Sequence, residues 1–182
     1  MPERQQPIDF NACSLAEIAE ALASRHQPPV ERWNPAHCGH SGLRIDREGR
    51  WWHEGRRIER EALVRLFASV LRREPDGRHV LVTPAEKVDI DVEFAAFRVT
   101  AMIREGDGQG QRIAFQLNDG GAVFLDSVHP LSLRDGLPLV ALDRGLEASF
   151  ERPVYYELAE LALASDPPGV WSAGQFFTLD SQ

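Results

Sequence analysis

Lys87 is the only lysine of the chain, since nineteen of its twenty basic residues are arginines. It ends the run Thr83-Pro84-Ala85-Glu86-Lys87. A lysine supplies a compact ammonium that meets a phosphate or carboxylate as a point charge, which a planar guanidinium does not do. We therefore predict an anion contact at Lys87, with Thr83 as a hydrogen-bonding group and Glu86 beside it. The alternative is a structural turn with a surface ion pair worth less than about 1 kcal/mol.

An aromatic pair and one arginine also suit an anionic ligand that carries a ring. Trp51 and Trp52 are adjacent, and adjacent strand residues face opposite sides. One ring is therefore expected in the core and the other at a domain interface or over a ligand ring. The pattern does not decide which ring faces the core; Trp52 is kept as the candidate ligand contact, and a purely structural role for both rings is the alternative. Arg144, before the Gly145 turn, offers a bidentate fork to phosphate or carboxylate. It equally suits an inter-domain ion pair.

Asn118, Asp126 and His129 lie around one strand and its flanking turns. Asp126 and His129 have the types of an acid–base pair, but the chain contains no G-x-S-x-G elbow to supply a nucleophile. We expect this pair to cap the turn before Pro130 rather than to catalyse a reaction. Asn118 and His129 are kept as candidate ligand contacts.

Two short motifs imitate functional sites. His37-Cys38-Gly39-His40 holds metal-ligand types, but the three ligands are too close together to close a tetrahedral site easily. We predict a solvated loop with a small buried cysteine there. Glycines at 106, 108 and 110 imitate a phosphate loop, but no Walker lysine follows, so a hairpin tip is expected. We predict no metal site and no cofactor.

Composition limits the possible partners. The net charge of −8 and a pI near 5.2 oppose binding to a nucleic-acid polymer. No apolar run approaches the roughly 18 residues that cross a bilayer, and the first residues lack the apolar core of a secretory signal. Two cysteines do not form a disulfide framework. We expect a cytoplasmic globular protein that contacts no membrane.

Hydrophobic periodicity and turn residues predict an N-terminal half with two helices and several strands. Ser14 and Glu17 fit a capping box at the start of the first helix. The second helix is amphipathic, because its apolar residues recur in pairs every four positions. The predicted elements are a helix from Ser14 to about Pro28, a loop at 30–42, a hairpin at 43–53, a helix at 59–73, and strands at 79–83 and 88–92.

The C-terminal half alternates apolar and polar residues in the manner of half-buried strands. Asn118-Asp119-Gly120-Gly121 is a hairpin turn, and Pro153 suits the first turn of a helix. The predicted elements are strands at 97–104, 113–117, 122–127, 139–142 and 147–150, a loop after Pro130, a helix from Pro153 to Asp166, and a closing strand around Trp171 and Phe177.

Both halves run from hairpins into a helix that begins with an apolar-Glu-Arg triplet, Ile58-Glu59-Arg60 and Phe150-Glu151-Arg152. So short a pattern is equally compatible with two ordinary helix starts. We nevertheless predict an α+β fold of two related subdomains, duplicated about a boundary near 93–96. The expected segments are a tail and helix at 1–29, an N-terminal subdomain at 30–94 and a C-terminal subdomain at 95–182.

Several short runs between about residues 30 and 179 form a specific combination. They are Arg44-Ile45, Gly49-Arg50-Trp51-Trp52, Ile58-Glu59-Arg60, Leu81-Val82-Thr83-Pro84, Glu86-Lys87, His129-Pro130-Leu131, Arg144-Gly145-Leu146-Glu147-Ala148 and Trp171-Ser172-Ala173-Gly174-Gln175-Phe176-Phe177. Together these runs resemble the bacterial domain-of-unknown-function 1285 family. The resemblance implies a duplicated two-domain core whose C-terminal part is a pleckstrin-homology-like, partly open barrel. It also implies a nucleotide-like ligand between the domains, in signalling, and no established activity.

The expected function is a regulatory module that binds a nucleotide-like anion at the inter-domain interface. Lys87 and Arg144 would supply charge, Thr83, Glu86, Asn118 and His129 polar contacts, and Trp52 a stacking face. The alternative is a scaffold that binds a protein partner, as pleckstrin-homology-like domains do. An enzyme that uses Lys87 with Glu86 or His129 is the least favoured hypothesis.

Overall fold

The computed structural model describes residues 13–179, and the chain forms two compact units. The N-terminal unit holds residues 26–97 and 143–147, and the C-terminal unit holds residues 13–25, 98–142 and 148–179. No helix within residues 13–179 is long and apolar enough to cross a membrane. The helices are α1 (Leu15–Ser24), α2 (Glu61–Ser69) and α3 (Arg152–Leu163).

The N-terminal unit is built on a six-stranded mixed sheet with the order β3-β2-β1-β6-β5-β4. Strands β1 and β6 pair in parallel, and the other neighbours pair antiparallel. The connection that contains α2 joins β3 to β4, the two outer strands. The strands are β1 (His37–Ile45), β2 (Trp51–His53), β3 (Arg56–Arg57), β4 (Leu71–Arg73), β5 (His79–Val82) and β6 (Lys87–Val92).

One aromatic contact attaches α2 to this sheet. The rings of Trp51 on β2 and Phe67 on α2 stack with their centroids 6.0 Å apart. Trp51 is buried, and so are Ala68 near the end of the helix and Leu71 at the start of β4. Trp51 is therefore the core member of the tryptophan pair, and Trp52 faces the other side of the sheet.

The C-terminal unit holds a second six-stranded sheet, with the order β10-β11-β12-β7-β8-β9. Strand β7 pairs antiparallel with β8, β8 with β9, and β10 with β11. A separate hairpin, β13 (Gly169–Ser172) with β14 (Gln175–Thr178), follows α3. The sheet strands are β7 (Phe97–Glu105), β8 (Arg112–Leu117), β9 (Ala122–Phe124), β10 (Leu131–Arg134), β11 (Leu137–Ala141) and β12 (Glu147–Phe150).

Two helices complete the core of this unit. The amphipathic α3 buries Val154, Leu158 and Ala162, while the rings of Phe115 and Phe150 meet edge to face at 5.0 Å. Helix α1 buries its apolar residues against β7, β8 and β9. Ser14 caps α1, and its capping box with Glu17 is formed as predicted.

The two sheets have the same strand order, which confirms the prediction of an α+β fold with two related subdomains. When the strands of each unit are counted from one to six, both sheets have the order 3-2-1-6-5-4. The helices differ in position: α2 follows the third strand of its unit, whereas α3 follows the sixth. The second sheet ends at β9 and β10, so it is not a closed barrel. Its pleckstrin-homology-like character stays a prediction.

Three predicted elements of the chain are wrong. The loop expected at 30–42 contains the first half of β1, which begins at His37. Gly39 and Gly42 have positive φ and lie where the register of β1 against β6 shifts, so these glycines serve bulges and not a loop. The second helix ends at Ser69 instead of residue 73, and Leu71–Arg73 form β4. Residues 131–134, expected as loop, form β10.

We expect Ser172→Ala to lower the free energy of unfolding by about 1 to 3 kcal/mol. The Ser172 hydroxyl is buried; it donates to the carbonyl of Leu125 at 2.6 Å and accepts from the N–H of Ile113 at 3.0 Å. Urea unfolding measures the change, with Ser132→Ala on an exposed position of β10 as the control. Equal effects of the two substitutions would contradict the structural role of Ser172.

Candidate functional site

An apolar groove lies between α2 and the sheet of the N-terminal unit, with a volume of about 530 Å³. We call it the α2 groove. Eight of its twelve lining residues are hydrocarbon or aromatic, and they come from α2, from the strands beneath it and from the chain before and after the helix. They are Leu43, Ile58, Leu63, Leu66, Phe67, Val70, Leu81 and Val88, and the polar ones are Ser41, His53, Thr83 and Glu86.

The apolar stripe of α2 is wider than the surface that the sheet covers. Leu63, Phe67 and Val70 are half-buried, and Leu66 is 60% exposed. A stripe of this kind normally lies buried against another element. Here part of it borders the groove instead, and this uncovered hydrocarbon is what a ligand could contact.

Two of the sequence-predicted site residues lie together at this groove. Thr83 and Glu86 close the turn between β5 and β6, where Thr83 N–H donates to the Glu86 carbonyl at 2.9 Å. The Thr83 hydroxyl accepts from the N–H groups of Ala85 and Glu86 at 3.3 and 3.1 Å. The turn therefore uses the Thr83 hydroxyl, while the Glu86 side chain stays exposed.

Lys87 follows this turn but faces away from the α2 groove. It is the neighbour of Val88 on β6, and neighbouring strand residues point to opposite faces. Its side chain is 13% exposed, with Nζ 3.6 Å from Glu74 Oε2. Glu74 also accepts from Arg72 at 2.6 Å. The structure thus gives Lys87 an internal partner, and its contact with a ligand stays a prediction.

Trp52 lies on the opposite face of β2 from Trp51 and is surrounded by side chains of its own unit. Its Nε1–H donates to Asp46 Oδ2 at 2.8 Å. The guanidinium carbons of Arg44 and Arg50 lie 5.3 and 5.9 Å from its ring centroid, within cation–π range. Stacking of Trp52 on a ligand stays a prediction, but these arginines already contact the ring.

Asp46 organises the turn that places Trp52. Its carboxylate is buried and accepts from the N–H groups of Glu48 and Arg50 and from the Arg50 guanidinium. Burial alone raises the pKa of this carboxyl. The hydrogen bonds from the Trp52 indole, from Arg50 N–H and from the Arg50 side chain outweigh burial, so the pKa of Asp46 lies below its ordinary value.

Arg144 holds together three parts of the N-terminal unit. It lies in the turn before β12 with φ +62°, and its side chain is 6% exposed. Its guanidinium donates to the carbonyls of Ser69 at 2.6 Å and Pro28 at 3.0 Å, and to the side chains of Gln27 at 2.9 Å and Glu31 at 3.2 Å. Four acceptors occupy the fork, so the predicted contact with a ligand would have to displace some of them.

The remaining predicted contacts belong to the C-terminal unit. Asn118 Oδ1 accepts from Arg98 N–H at 3.0 Å across the ends of β7 and β8. Asp126 Oδ1 accepts from the N–H of His129 at 2.9 Å, and His129 Nδ1 lies 3.2 Å from the same oxygen. Asp126 and His129 cap this turn, as the non-catalytic interpretation predicted.

The expectation of a solvated loop with a buried cysteine at 37–40 is wrong. These residues begin β1, and Cys38 is exposed. His37 lies 3.0 Å from Asp89, and His40 lies 3.3 Å from Asp91, both across to β6. Within residues 13–179 no three His, Cys, Asp or Glu side chains gather as a metal site would require.

Sequence reasoning did not select the charged residues at one end of the α2 groove. A second hollow of about 600 Å³ lies at the β2–β3 hairpin and is lined by His53, Glu54, Arg56, Arg57 and Ile58. We call it the arginine hollow. It shares His53 and Ile58 with the α2 groove. The adjacent basic pair after the turn at Glu54-Gly55 was the signal in the sequence.

Two family models match this chain. Residues 28–95 match the N-terminal domain of a domain of unknown function, DUF1285, and residues 96–179 match the C-terminal domain of the same family. The chain belongs to the DUF1285 family. This confirms the resemblance, and no curated protein is significantly similar to the chain.

Two solved DUF1285 structures are similar to this chain. A DUF1285 family protein from Silicibacter pomeroyi is 35% identical, with a TM-score of 0.77 over 92% of this chain and 94% of that one. Another from Shewanella baltica is 24% identical, with a TM-score of 0.55 over 66% of this chain and 91% of that one. The second likeness concerns the fold alone.

Asp46→Asn should reduce stability in a pH-dependent way. Because the folded-state pKa of Asp46 is below that of the unfolded chain, the ionised carboxylate stabilises the fold above about pH 4. This contribution is lost as the pH falls through the folded-state value. Urea unfolding of wild type and variant should differ at pH 7 and converge in acid, with the exposed Asp107→Asn as control. A constant difference would contradict the assignment.

Arg144→Lys tests the role of the guanidinium. An ammonium cannot reach four acceptors in different directions, so the free energy of unfolding should fall by about 2 kcal/mol. Arg152→Lys at the exposed start of α3 is the matched control and should change stability little. If Arg144→Lys unfolds at the same urea concentration as wild type, the hydrogen bonds described above do not stabilise the unit.

Proposed function

We propose that the N-terminal unit is a small-molecule binding module, whose ligand places an apolar body in the α2 groove. The observation that carries this proposal is the uncovered hydrocarbon beneath and beside α2, above all Leu66, which is 60% exposed at the groove. Ligand sites are typically concave, mostly apolar and about 300 to 1,000 Å³ in volume. The α2 groove, at about 530 Å³, lies within that range.

The polar residues of the groove favour binding over catalysis. His53 and Glu86 are both exposed. Acid–base catalysts normally act in a site from which water is excluded, whereas these two side chains are in contact with solvent. A module that binds without reacting suits a regulatory or signalling role, in which ligand binding stabilises one state of the protein.

The lining favours a hydrocarbon body over a nucleobase. A base presents hydrogen-bonding groups along its edges, and the turn already uses the Thr83 hydroxyl that could meet them. The sequence-based expectation of a nucleotide-like ligand at the inter-domain interface therefore stays a prediction. The present proposal instead places the ligand within the N-terminal unit.

The hypothesis of a protein-binding scaffold requires a different shape of the α2 groove. A helical peptide binds through apolar anchors that repeat over two turns of helix, and so needs a long open groove. A small ligand needs one compact volume. A titration with a small apolar compound tests for the compact volume directly, because the small-molecule proposal requires such a compound to bind.

Decan-1-ol, a neutral compound with an apolar body, is the probe for the groove. We expect binding in isothermal titration calorimetry that is about three- to tenfold weaker in Leu66→Gln, which removes roughly 1 kcal/mol of apolar contact. Leu163→Gln, the same change at a residue that is 72% exposed on α3, should leave binding unchanged.

The outcomes separate the hypotheses. Equal effects of Leu66→Gln and Leu163→Gln would place the binding elsewhere, and no heat with decan-1-ol would overturn the proposal. If AMP binds and decan-1-ol does not, the nucleotide hypothesis replaces it. Circular dichroism of each variant confirms that the fold is intact.

A further inference from the structure

We propose that the natural ligand of the α2 groove is a monocarboxylate, and that Arg56 binds its head group with His53 as a second donor. This inference rests on the proposed function and names the class of ligand. It follows from the register of the β2–β3 hairpin, from the lining residues that the two hollows share, and from the charges that line them.

The hairpin register places Arg56 on the groove side of the sheet. In the antiparallel pairing of β2 with β3, His53 lies opposite Arg56, and Trp52 lies opposite Arg57. Directly opposed residues share one face of a sheet. Because His53 lines the α2 groove, Arg56 is on the groove face, whereas Arg57 shares the face of Trp52.

The α2 groove and the arginine hollow share two of their lining residues. His53 and Ile58 belong to both linings, so the hollows adjoin at these residues, and the proposed ligand extends from the groove past them to Arg56. An amphipathic molecule fits this arrangement, with its hydrocarbon along α2 and its charged end at the hairpin.

Arg56 and Arg57 differ from many other arginines of this acidic chain. Arg44, Arg50, Arg65, Arg72 and Arg78 each pair with a carboxylate. Neither Arg56 nor Arg57 has a carboxylate within salt-bridge distance among residues 13–179, and both are exposed. A chain of net charge −8 thus keeps two adjacent cations unneutralised at the mouth of an apolar groove.

The charges of the lining favour one negative charge on the ligand. Glu54 lines the arginine hollow and Glu86 lines the α2 groove, so a dianionic phosphate would meet more repulsion than a carboxylate. The planar guanidinium of Arg56 can bind either head group through two parallel N–H···O bonds, so the repulsion from these carboxylates is what separates the two. A monocarboxylate is therefore the head group that this lining suits best.

The experiment compares decanoate, decan-1-ol and decyl phosphate on the full chain by isothermal titration calorimetry at pH 7. Decanoate should bind more tightly than the other two. Arg56→Gln should weaken decanoate by about 10- to 100-fold, the value of a hydrogen-bonded charge contact, and leave decan-1-ol unchanged. Arg60→Gln, which makes the same charge change three residues beyond Arg57 at an exposed position outside both hollows, should change neither.

Each contrary result identifies what fails. Equal binding of decanoate and decan-1-ol, or equal effects of Arg56→Gln and Arg60→Gln, would overturn the head-group assignment while the groove stands. Tighter binding of decyl phosphate than of decanoate would overturn the monocarboxylate class. If neither decanoate nor decan-1-ol binds, the proposed function itself fails. Circular dichroism and urea unfolding show whether Arg56→Gln is folded.

Discussion

The pairing of β1 with β6 constrains the whole N-terminal unit, because it places β3 and β4 at opposite edges of a six-stranded sheet. The connection between these edges must then cross the sheet. Six strands at about 4.8 Å spacing span roughly 24 Å, whereas a nine-residue helix such as α2 rises only about 14 Å. The helix cannot cover the face that it crosses. The Trp51–Phe67 stack attaches it to part of the sheet, and the α2 groove is the apolar surface left uncovered beside that contact.

The C-terminal unit has the same strand order, but its two edge strands are connected differently. Its edge strands β9 and β10 are joined by residues 125–130 alone, without a helix. Fully extended, that connection spans about 24 Å at most, and the turn capped by Asp126 shortens it further. The two edges of this sheet therefore lie no farther apart than that connection reaches, and the partly open barrel stays a prediction. Helix α3 instead follows the sixth strand and buries Val154, Leu158 and Ala162. Duplication has kept the strands of the two subdomains while their helical cover diverged.

The sequence predicts those elements whose signals are local. The capping box of Ser14 with Glu17, the strand at Glu147–Phe150 and the turn at 118–121 each depend on neighbouring residues, and each forms as expected. The wrong predictions concern segments whose secondary structure depends on pairing with a strand far away in the sequence. Residues 70–73 continue the apolar pattern of α2, but Leu71 pairs with Leu81 and becomes a strand. Gly39 and Gly42 are residues typical of a loop. They nevertheless lie in a strand, because β1 pairs with β6 and accommodates these glycines as bulges. A short stretch of sequence carries no information about a strand partner that lies far along the chain.

The same limit applies to the candidate site. The sequence shows which residue types could bind an anion, but it does not show where the fold places them. Lys87 and Arg144 stand out in the sequence because their types are capable of binding anions. In the folded unit a cation with little exposure needs a partner, and Glu74 and the acceptors around Arg144 supply it.

Arg56, by contrast, is one of nineteen arginines, and nothing in its type distinguishes it. It becomes informative through two relations that only the fold creates. One is its place opposite His53, and the other is that no carboxylate among residues 13–179 lies within salt-bridge distance of it, although Glu54 lines the same hollow. A binding residue must keep its hydrogen-bonding capacity unused until the ligand arrives. The polar groups that the fold leaves unsatisfied beside an uncovered apolar surface are therefore stronger candidates for binding a ligand than the chemically rarest ones.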